Sequence, residues 1–217
     1  ALDGDADGLT FYRTIAEHWC EKLAPDGFVA VEVGIGQAED VAALFAAKGL
    51  ENTAIFRYIS NMLMKNYNGL LFHSSAISYN GNAYLFTAKS GTGKSTHTRL
   101  LSEYTNGLVK HINDDKPFVR YIESDGKFYV YGNPWQGKHG LGENVKVPLK
   151  AVCLLNRGEV NKIEKINALD CIYEIMKQTV KPTDEDGVNA LMDTLSLLVS
   201  SVDFYKLYFN KKLAYMI

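Results

Sequence analysis

Asn82-Ala83-Tyr84-Leu85-Phe86-Thr87-Ala88-Lys89-Ser90-Gly91-Thr92-Gly93-Lys94-Ser95-Thr96 decides the fold. Its first six residues form an apolar, aromatic-rich run that predicts a buried strand, and Thr96 to Tyr104 predicts a helix. A glycine-rich loop between strand and helix, ending Gly-Lys-Ser, is the pattern of a phosphate-binding loop. Gly91 and Gly93 can take backbone angles closed to other residues, so the main chain can approach phosphate. The loop N–H groups then face the anion, helped by the helix N-terminus. Lys94 would reach the β- and γ-phosphates, and the Ser95 hydroxyl would ligate Mg²⁺. ATP with Mg²⁺ is therefore the expected ligand, held by Ser90, Gly91, Thr92, Gly93, Lys94, Ser95 and Thr96. The full pattern opens on glycine, where this chain has Ala88; a demand for positive φ there would strain it.

The 217 residues suffice for one large domain or two small ones. A content of 47% hydrophobic and 22% charged residues is that of an ordinary globular chain. The net charge of −2 gives no reason to expect nucleic acid or an anionic membrane as partner. Cys20, Cys153 and Cys171 have no paired spacing, which fits a reducing compartment better than a disulfide framework or zinc site. No apolar run reaches the ~18 residues of a membrane span, and no signal-peptide pattern is present. The cytoplasm is the expected location.

The chain reads as α/β in two parts, 1–54 and 55–217. In the first, Phe11 to Cys20 predicts an amphipathic helix, Pro25-Asp26-Gly27 a turn, and Phe28 to Val33 a valine-rich strand. Ala38 to Lys48 predicts a helix capped by Gly49, and Thr53 to Phe56 a second strand. That order, αβαβ, is a Rossmann-like segment of a doubly wound sheet. Gly34-Ile35-Gly36 lacks the third glycine of a dinucleotide fingerprint, so it reads as a strand-to-helix turn. In the second part, Ile55 to Met64 has helical spacing and Leu70 to Ile77 reads as a strand. Tyr79-Asn80-Gly81-Asn82 is a hairpin turn. Strands are expected at 118–122, 127–131, 149–155 and 204–209, and helices at about 168–178 and 186–200. The first part is richer in Ala and Gly, the second in Tyr, Asn and Lys, which places a junction near 50–57.

Phosphoryl transfer also needs a metal ligand and a group that takes the acceptor's proton. His111-Ile112-Asn113-Asp114-Asp115 ends a short expected strand about twenty residues past the loop. Two adjacent carboxylates can divide the work: one holds Mg²⁺ or its water, as Asp115 would with Ser95, and the other acts as general base. Asn133-Pro134-Trp135-Gln136-Gly137-Lys138-His139-Gly140-Leu141-Gly142 reads either as a flap bringing Lys138 to the transferring phosphate or as a β-connection packed on Trp135. His73, between Phe72 and Ser74, reads either as a phosphate contact or as a satisfied core histidine.

Two resemblances follow from these residues. Ala1-Leu2-Asp3-Gly4, Phe11-Tyr12-Arg13, Leu23-Ala24-Pro25-Asp26-Gly27 and Glu32-Val33-Gly34 resemble the C-terminal part of the release-factor glutamine methyltransferases. The glycine loop that binds S-adenosylmethionine and the Asn-Pro-Pro-Tyr motif of that family lie upstream of the matched part and are absent here. The resemblance therefore implies a fold and not methyl transfer. Phe72-His73-Ser74-Ser75-Ala76, the phosphate loop, Asn113-Asp114-Asp115, Pro134-Trp135-Gln136-Gly137-Lys138 and Val147-Pro148-Leu149-Lys150 resemble the HPr kinase/phosphorylase-related kinases. That resemblance spans 55–217. It implies a mixed-sheet P-loop kinase domain of the phosphoenolpyruvate carboxykinase-like type, with Asp114 or Asp115 as catalytic base and His73 beside the phosphates.

The expected activity is ATP-dependent phosphoryl transfer to a hydroxyl, on a serine of a peptide or protein or on a small molecule. The alternative is a catalytically inactive recombined or engineered fusion of a methyltransferase fragment with a nucleotide-binding domain. Carboxykinase metabolism needs substrate arginines, and only Arg99, Arg120 and Arg157 follow residue 57.

Overall fold

The computed structural model describes residues 6–19, 29, 31–47, 50–182 and 184–210, with the backbone alone at 47, 50–55 and 138. Within these residues nine strands form one mixed sheet: β1 (Gly69–Leu71), β2 (Ser75–Tyr79), β3 (Asn82–Thr87), β4 (Lys110–Asn113), β5 (Phe118–Ile122), β6 (Lys127–Tyr131), β7 (Lys146–Arg157), β8 (Lys162–Ile166) and β9 (Asp203–Phe209). The order runs β1-β5-β6-β7-β3-β2-β4, with β9 between β7 and β8. β7 is long enough to serve two neighbourhoods. Its start, Lys146 to Pro148, pairs antiparallel with β6, while its later residues pair parallel with β3 on one side and β9 on the other.

Burial follows from that position. Ala151 to Leu155 are all buried, as a strand covered on both faces requires. The two-residue period sends Val152 and Leu154 into one core with Leu85 and Phe204, and Cys153 and Leu155 into another with Phe86 and Phe209. The first core is covered by α6 (Glu185–Ser201), whose Leu191, Leu195 and Leu198 recur at helical spacing, by Ile175 of α5 (Ile172–Met176) and by Met64 of α3 (Leu50–Tyr67). The second lies under α4 (Lys94–Tyr104), which contributes Leu101. Each such leucine withdrawn from water contributes ~2 kcal/mol.

The second part of the chain follows its expected order closely. The strands at 82–87, 118–122 and 127–131 fall on the expected residues. The hairpin turn carries positive φ at Asn80 and Gly81, +47° and +73°. The strand expected over 70–77 is broken into β1 and β2 by a link at 72–74. β8 was not expected: Lys162-Ile163-Glu164-Lys165-Ile166 is a charged, half-exposed edge strand. Cys153 and Cys171 are buried free thiols, and burial pushes the Cys153 thiol up to about 12.

The first part differs. α1 (Thr10–Thr14) continues as a π-helical turn, Ile15–Trp19, and α2 covers Ala38–Ala47. The expected turn at 25–27, Cys20 and the Gly49 cap lie outside the described residues. Residues 29 and 31–33 carry no strand, and the rest of the strand expected over Phe28 to Val33 lies outside the described residues. Thr53 to Phe56 is part of α3 rather than a strand. Ile55, Ile59 and Leu63 recur every four residues there, and that period prevails over the β-branched residues. α3 thus runs unbroken across 54/55, and the described residues show no Rossmann-like αβαβ order. Among them no helix is long and apolar enough to cross a membrane.

Candidate functional site

β3, β7 and β9 are parallel, and the loop from Ala88 to Gly93 sits at the carboxyl end of β3, where open α/β sheets place their ligands. Gly91 and Gly93 have φ of +77° and +118°, and Gly93 is the N-cap of α4. Its angle lies outside the range of side-chain-bearing residues. Ala88 is relaxed: among the described non-glycine residues positive φ occurs at Asn68, Asn80 and Asn106, so the loop makes no such demand at its first position. Arg157, ending β7, donates from Nη2 to the Gly91 carbonyl at 2.9 Å and ties the loop to the neighbouring strand.

Lys94 opens α4 and is only 8% exposed. Its Nζ donates to the Ala88 carbonyl at 3.2 Å, which folds the side chain back along the loop. Burial pulls its pKa below the ordinary lysine value, while Asp115 and then Asp114 oppose the shift.

Asp114 and Asp115 leave the end of β4. Asn113 sets this corner. Its Nδ2 donates to the Asn133 carbonyl, to Asn133 Oδ1 and to the Trp135 carbonyl, at 3.2, 3.1 and 3.0 Å. Its Oδ1 accepts from the backbone N–H groups of Asp115 and Lys116 at 3.0 and 2.8 Å. Asp114 is buried, and its Oδ1 accepts from Ser75 Oγ at 2.6 Å. Asp115 is more open, with Lys116 Nζ 2.7 Å from Oδ2 and His73 Nε2 3.7 Å from Oδ1. His73 occupies the link between β1 and β2. Its Nδ1 is 3.0 Å from Gln178 Oε1, an acceptor, so Nδ1 carries the hydrogen and Nε2 is left toward Asp115. Burial and the Lys94 charge hold His73 below the ordinary histidine pKa, against the pull of Asp115 and Gln178.

These groups meet in a cleft of about 460 Å³. It is lined by Ser90, Gly91, Gly93, Lys94, Ser95 and Thr96 from the loop and the start of α4, and by His73, Asp114, Asp115, Gly137 and His139. Thr92, with Ala88 and Lys89 of the same loop, lines a neighbouring crevice of about 680 Å³ together with Arg157 and Lys177. Lys138 lies in a short turn, Gly137–His139, and its side chain is outside the described residues. Trp135 packs edge-on against Phe56 at 4.9 Å and near Phe118 at 6.1 Å, as the packed-connection reading expects.

The donor set bears on which metal would fit. Among the described residues no three His, Cys, Asp or Glu side chains converge as a self-sufficient metal site. A cation here would need phosphate oxygens to complete its shell around Ser95 and Asp115, which is how Mg²⁺ is commonly held and unlike a protein-only Ca²⁺ or Zn²⁺ cage.

Sequence reading missed Ser75, Thr98, Asn113, Gln178 and His139 as parts of this site. Ser75, Thr98 and Asn113 had a signal: each is a polar residue at a position whose strand or helix period points inward. Gln178 had none, since only the fold brings it to His73.

No family model matches the chain. A stretch of 49 residues, 23% of the chain, is 53% identical to the release factor glutamine methyltransferase of Geobacter sulfurreducens and covers 17% of that protein. A stretch of 50 residues is 56% identical to the enzyme of the same name from Rhodospirillum rubrum, covering 23% of this chain and 15% of that one. The chain thus spans less than a fifth of the length of the curated relatives it matches. Among solved structures, the Hpr(Ser) kinase/phosphatase of Coxiella burnetii is similar at a TM-score of 0.37 and 10% identity, over 66% of this chain and 88% of that one.

Proposed function

We propose that the chain transfers the γ-phosphoryl group of ATP, with Mg²⁺, to a hydroxyl of a peptide, protein or small molecule. The observation that carries this reading is the single cleft in which a buried lysine and the backbone of a phosphate loop face two aspartates and a histidine. The acceptor oxygen bonds to the γ-phosphorus, the bond to the β,γ-bridging oxygen breaks, and ADP leaves. The acceptor's proton passes to Asp114, whose carboxylate is held in one orientation by Ser75. Ser95 and Asp115 are the groups that would hold Mg²⁺, which offsets charge on the phosphates. Lys94 and the loop N–H groups bind the phosphates, and His73 neighbours the γ-position. Lys138 is proposed as a further cation toward the transferring group. The domain is of the phosphoenolpyruvate carboxykinase-like type, works in the cytoplasm and takes neither nucleic acid nor membrane as partner.

The test is to incubate the chain with Mg²⁺ and γ-labelled ATP over a library of hydroxyl-bearing peptides and metabolites, with Lys94→Ala as control. Label on an acceptor, lost in the variant, is the expected result. Nucleotide binding with no transfer overturns it.

A second reading has its own support. A match near 50% identity confined to 49 residues, in a chain that also carries a Gly-Lys-Ser loop and two adjacent aspartates, supports a recombined chain. On that reading residues 1–54 are a methyltransferase-derived fragment, 55–217 bind nucleotide, and turnover is lost. Binding without transfer is its signature.

A further inference from the structure

Two buried hydroxyl side chains, Thr98 and Ser75, connect the start of the loop helix to Asp114. Thr98, one turn into α4, has its Oγ1 2.7 Å from Ser75 Oγ, and Ser75 Oγ is 2.6 Å from Asp114 Oδ1. Ser75 and Thr98 are 0% exposed. Thr98 Oγ1 also lies 3.3 Å from the carbonyls of Lys94 and Ser95. Counting hydrogens gives the bridge a direction. A carboxylate supplies none, and Ser75 has one, so Ser75 donates to Asp114. Ser75 Oγ then accepts at its other short contact, so the Thr98 hydroxyl donates to Ser75 in preference to the longer carbonyl contacts. The order is Thr98 to Ser75 to Asp114, and it crosses from α4 through β2 to the end of β4.

We propose that Ser75 and Thr98 are positioning residues that set the Asp114 carboxylate relative to Lys94 and Ser95, so that nucleotide seated on the loop finds the proton acceptor in register. The inference rests on the phosphoryl-transfer reading of this cleft. It predicts an order of effects that packing alone does not. Removing the Ser75 hydroxyl leaves a buried carboxylate oxygen without its donor, and the carboxylate turns to find another. Removing the Thr98 hydroxyl leaves Ser75 still donating, and only loosens it.

The experiment uses the full chain with Mg²⁺ and ATP, water serving as acceptor, and follows ADP release alongside the affinity for a fluorescent ATP analogue. Ser75→Ala is expected to lower kcat about 10- to 100-fold, the scale of an ångström's misplacement, with analogue affinity within about 3-fold of wild type. Thr98→Val is expected to lower kcat less than Ser75→Ala, and Thr98→Ser to restore it. A Ser75→Ala enzyme with wild-type kcat overturns the proposal. So does a parallel loss of kcat and affinity, or a Thr98→Ser variant as impaired as Thr98→Val. A second measurement separates this from the underlying reading: the Ser75→Ala and Asp114→Asn changes should be non-additive in thermal midpoint if the bridge joins them. Additive shifts overturn the coupling whether or not the chain turns over ATP. A wild-type chain that binds the analogue and releases no ADP with water or with any member of the hydroxyl library, and whose midpoints are coupled, overturns phosphoryl transfer and reduces the bridge to packing.

Discussion

Arg157 Nη2 donates to the Gly91 carbonyl at 2.9 Å, so the glycine-rich loop is fastened to the strand beside the one that precedes it. Gly91 supplies positive φ and no side chain, which leaves its carbonyl free to turn toward β7. Arg157→Ala is expected to weaken ATP binding about 3- to 10-fold, the share of one exposed charge-assisted bond, with little change in thermal midpoint. Calorimetric titration with Mg-ATP checks both the direction and the size.

Lys94 carries more. It is buried, and the Asp114 and Asp115 charges act on it. Lys94→Ala should lower nucleotide affinity about 10- to 100-fold, since bonds to an ion contribute ~1.5–3 kcal/mol. Gly93→Ala should do similar harm by another route. Its φ of +118° strains any side chain, and the added methyl would lie 3.6 Å from the Phe209 ring. Unchanged affinity in either variant would move the nucleotide site elsewhere.

Asn113 accepts from two backbone donors through Oδ1 and donates from Nδ2 toward three acceptors while fully buried. Asn113→Ala should cost roughly 3 kcal/mol of stability, with each lost bond contributing about 1 kcal/mol or less. Denaturant unfolding measures this. Asn113→Asp tests the role further, because a carboxylate can still accept from Asp115 and Lys116 but cannot donate to Asn133 and Trp135.

His97 lies against Phe86 and Phe209, ring centroids 5.0 and 5.9 Å away, and burial lowers its pKa from 6.5 to about 4. The folded state keeps this ring neutral while the unfolded chain takes up a proton from pH 6.5 downward. Stability is therefore complete above pH 6.5 and falls as the pH drops toward about 4, by up to on the order of 3 kcal/mol. Burial acts in the same direction on His73 and His111. His97→Phe should remove part of the acid slope and leave the rest. Urea midpoints at neutral pH and in mild acid, for both proteins, decide it; an unchanged slope would mean that His97 is solvated.

Much of the second part of the chain was legible in its sequence because its signals are local. Strand alternation, the Asn80-Gly81 turn, the glycine loop and the Lys94–Thr96 helix start depend on neighbours within a few residues. Where the signal was local but its partner was not, reading failed. Val29 and residues 31–33 have strand-forming composition yet carry no strand, and the remainder of that expected strand lies outside the described residues. β8 erred in the other direction: charged residues hid a strand that β9 pairs along its full length.

The sequence by itself determined that a glycine-rich loop ending Gly-Lys-Ser lies between a strand and a helix, and that two carboxylates follow it after one further strand. Loop chemistry is carried by glycine, lysine and serine in order, and order is what a sequence contains. Only the tertiary structure decided how those pieces meet. It brought Gln178 to His73 across 105 residues and Arg157 to Gly91 across 66. It placed Ser75 and Thr98 between the loop helix and Asp114. It also showed that Ala88 is unstrained, because φ at that position is set by how β3 enters the loop. Contacts between distant segments depend on which strands pair, and pairing is decided by the burial of the whole sheet rather than by any one stretch of it.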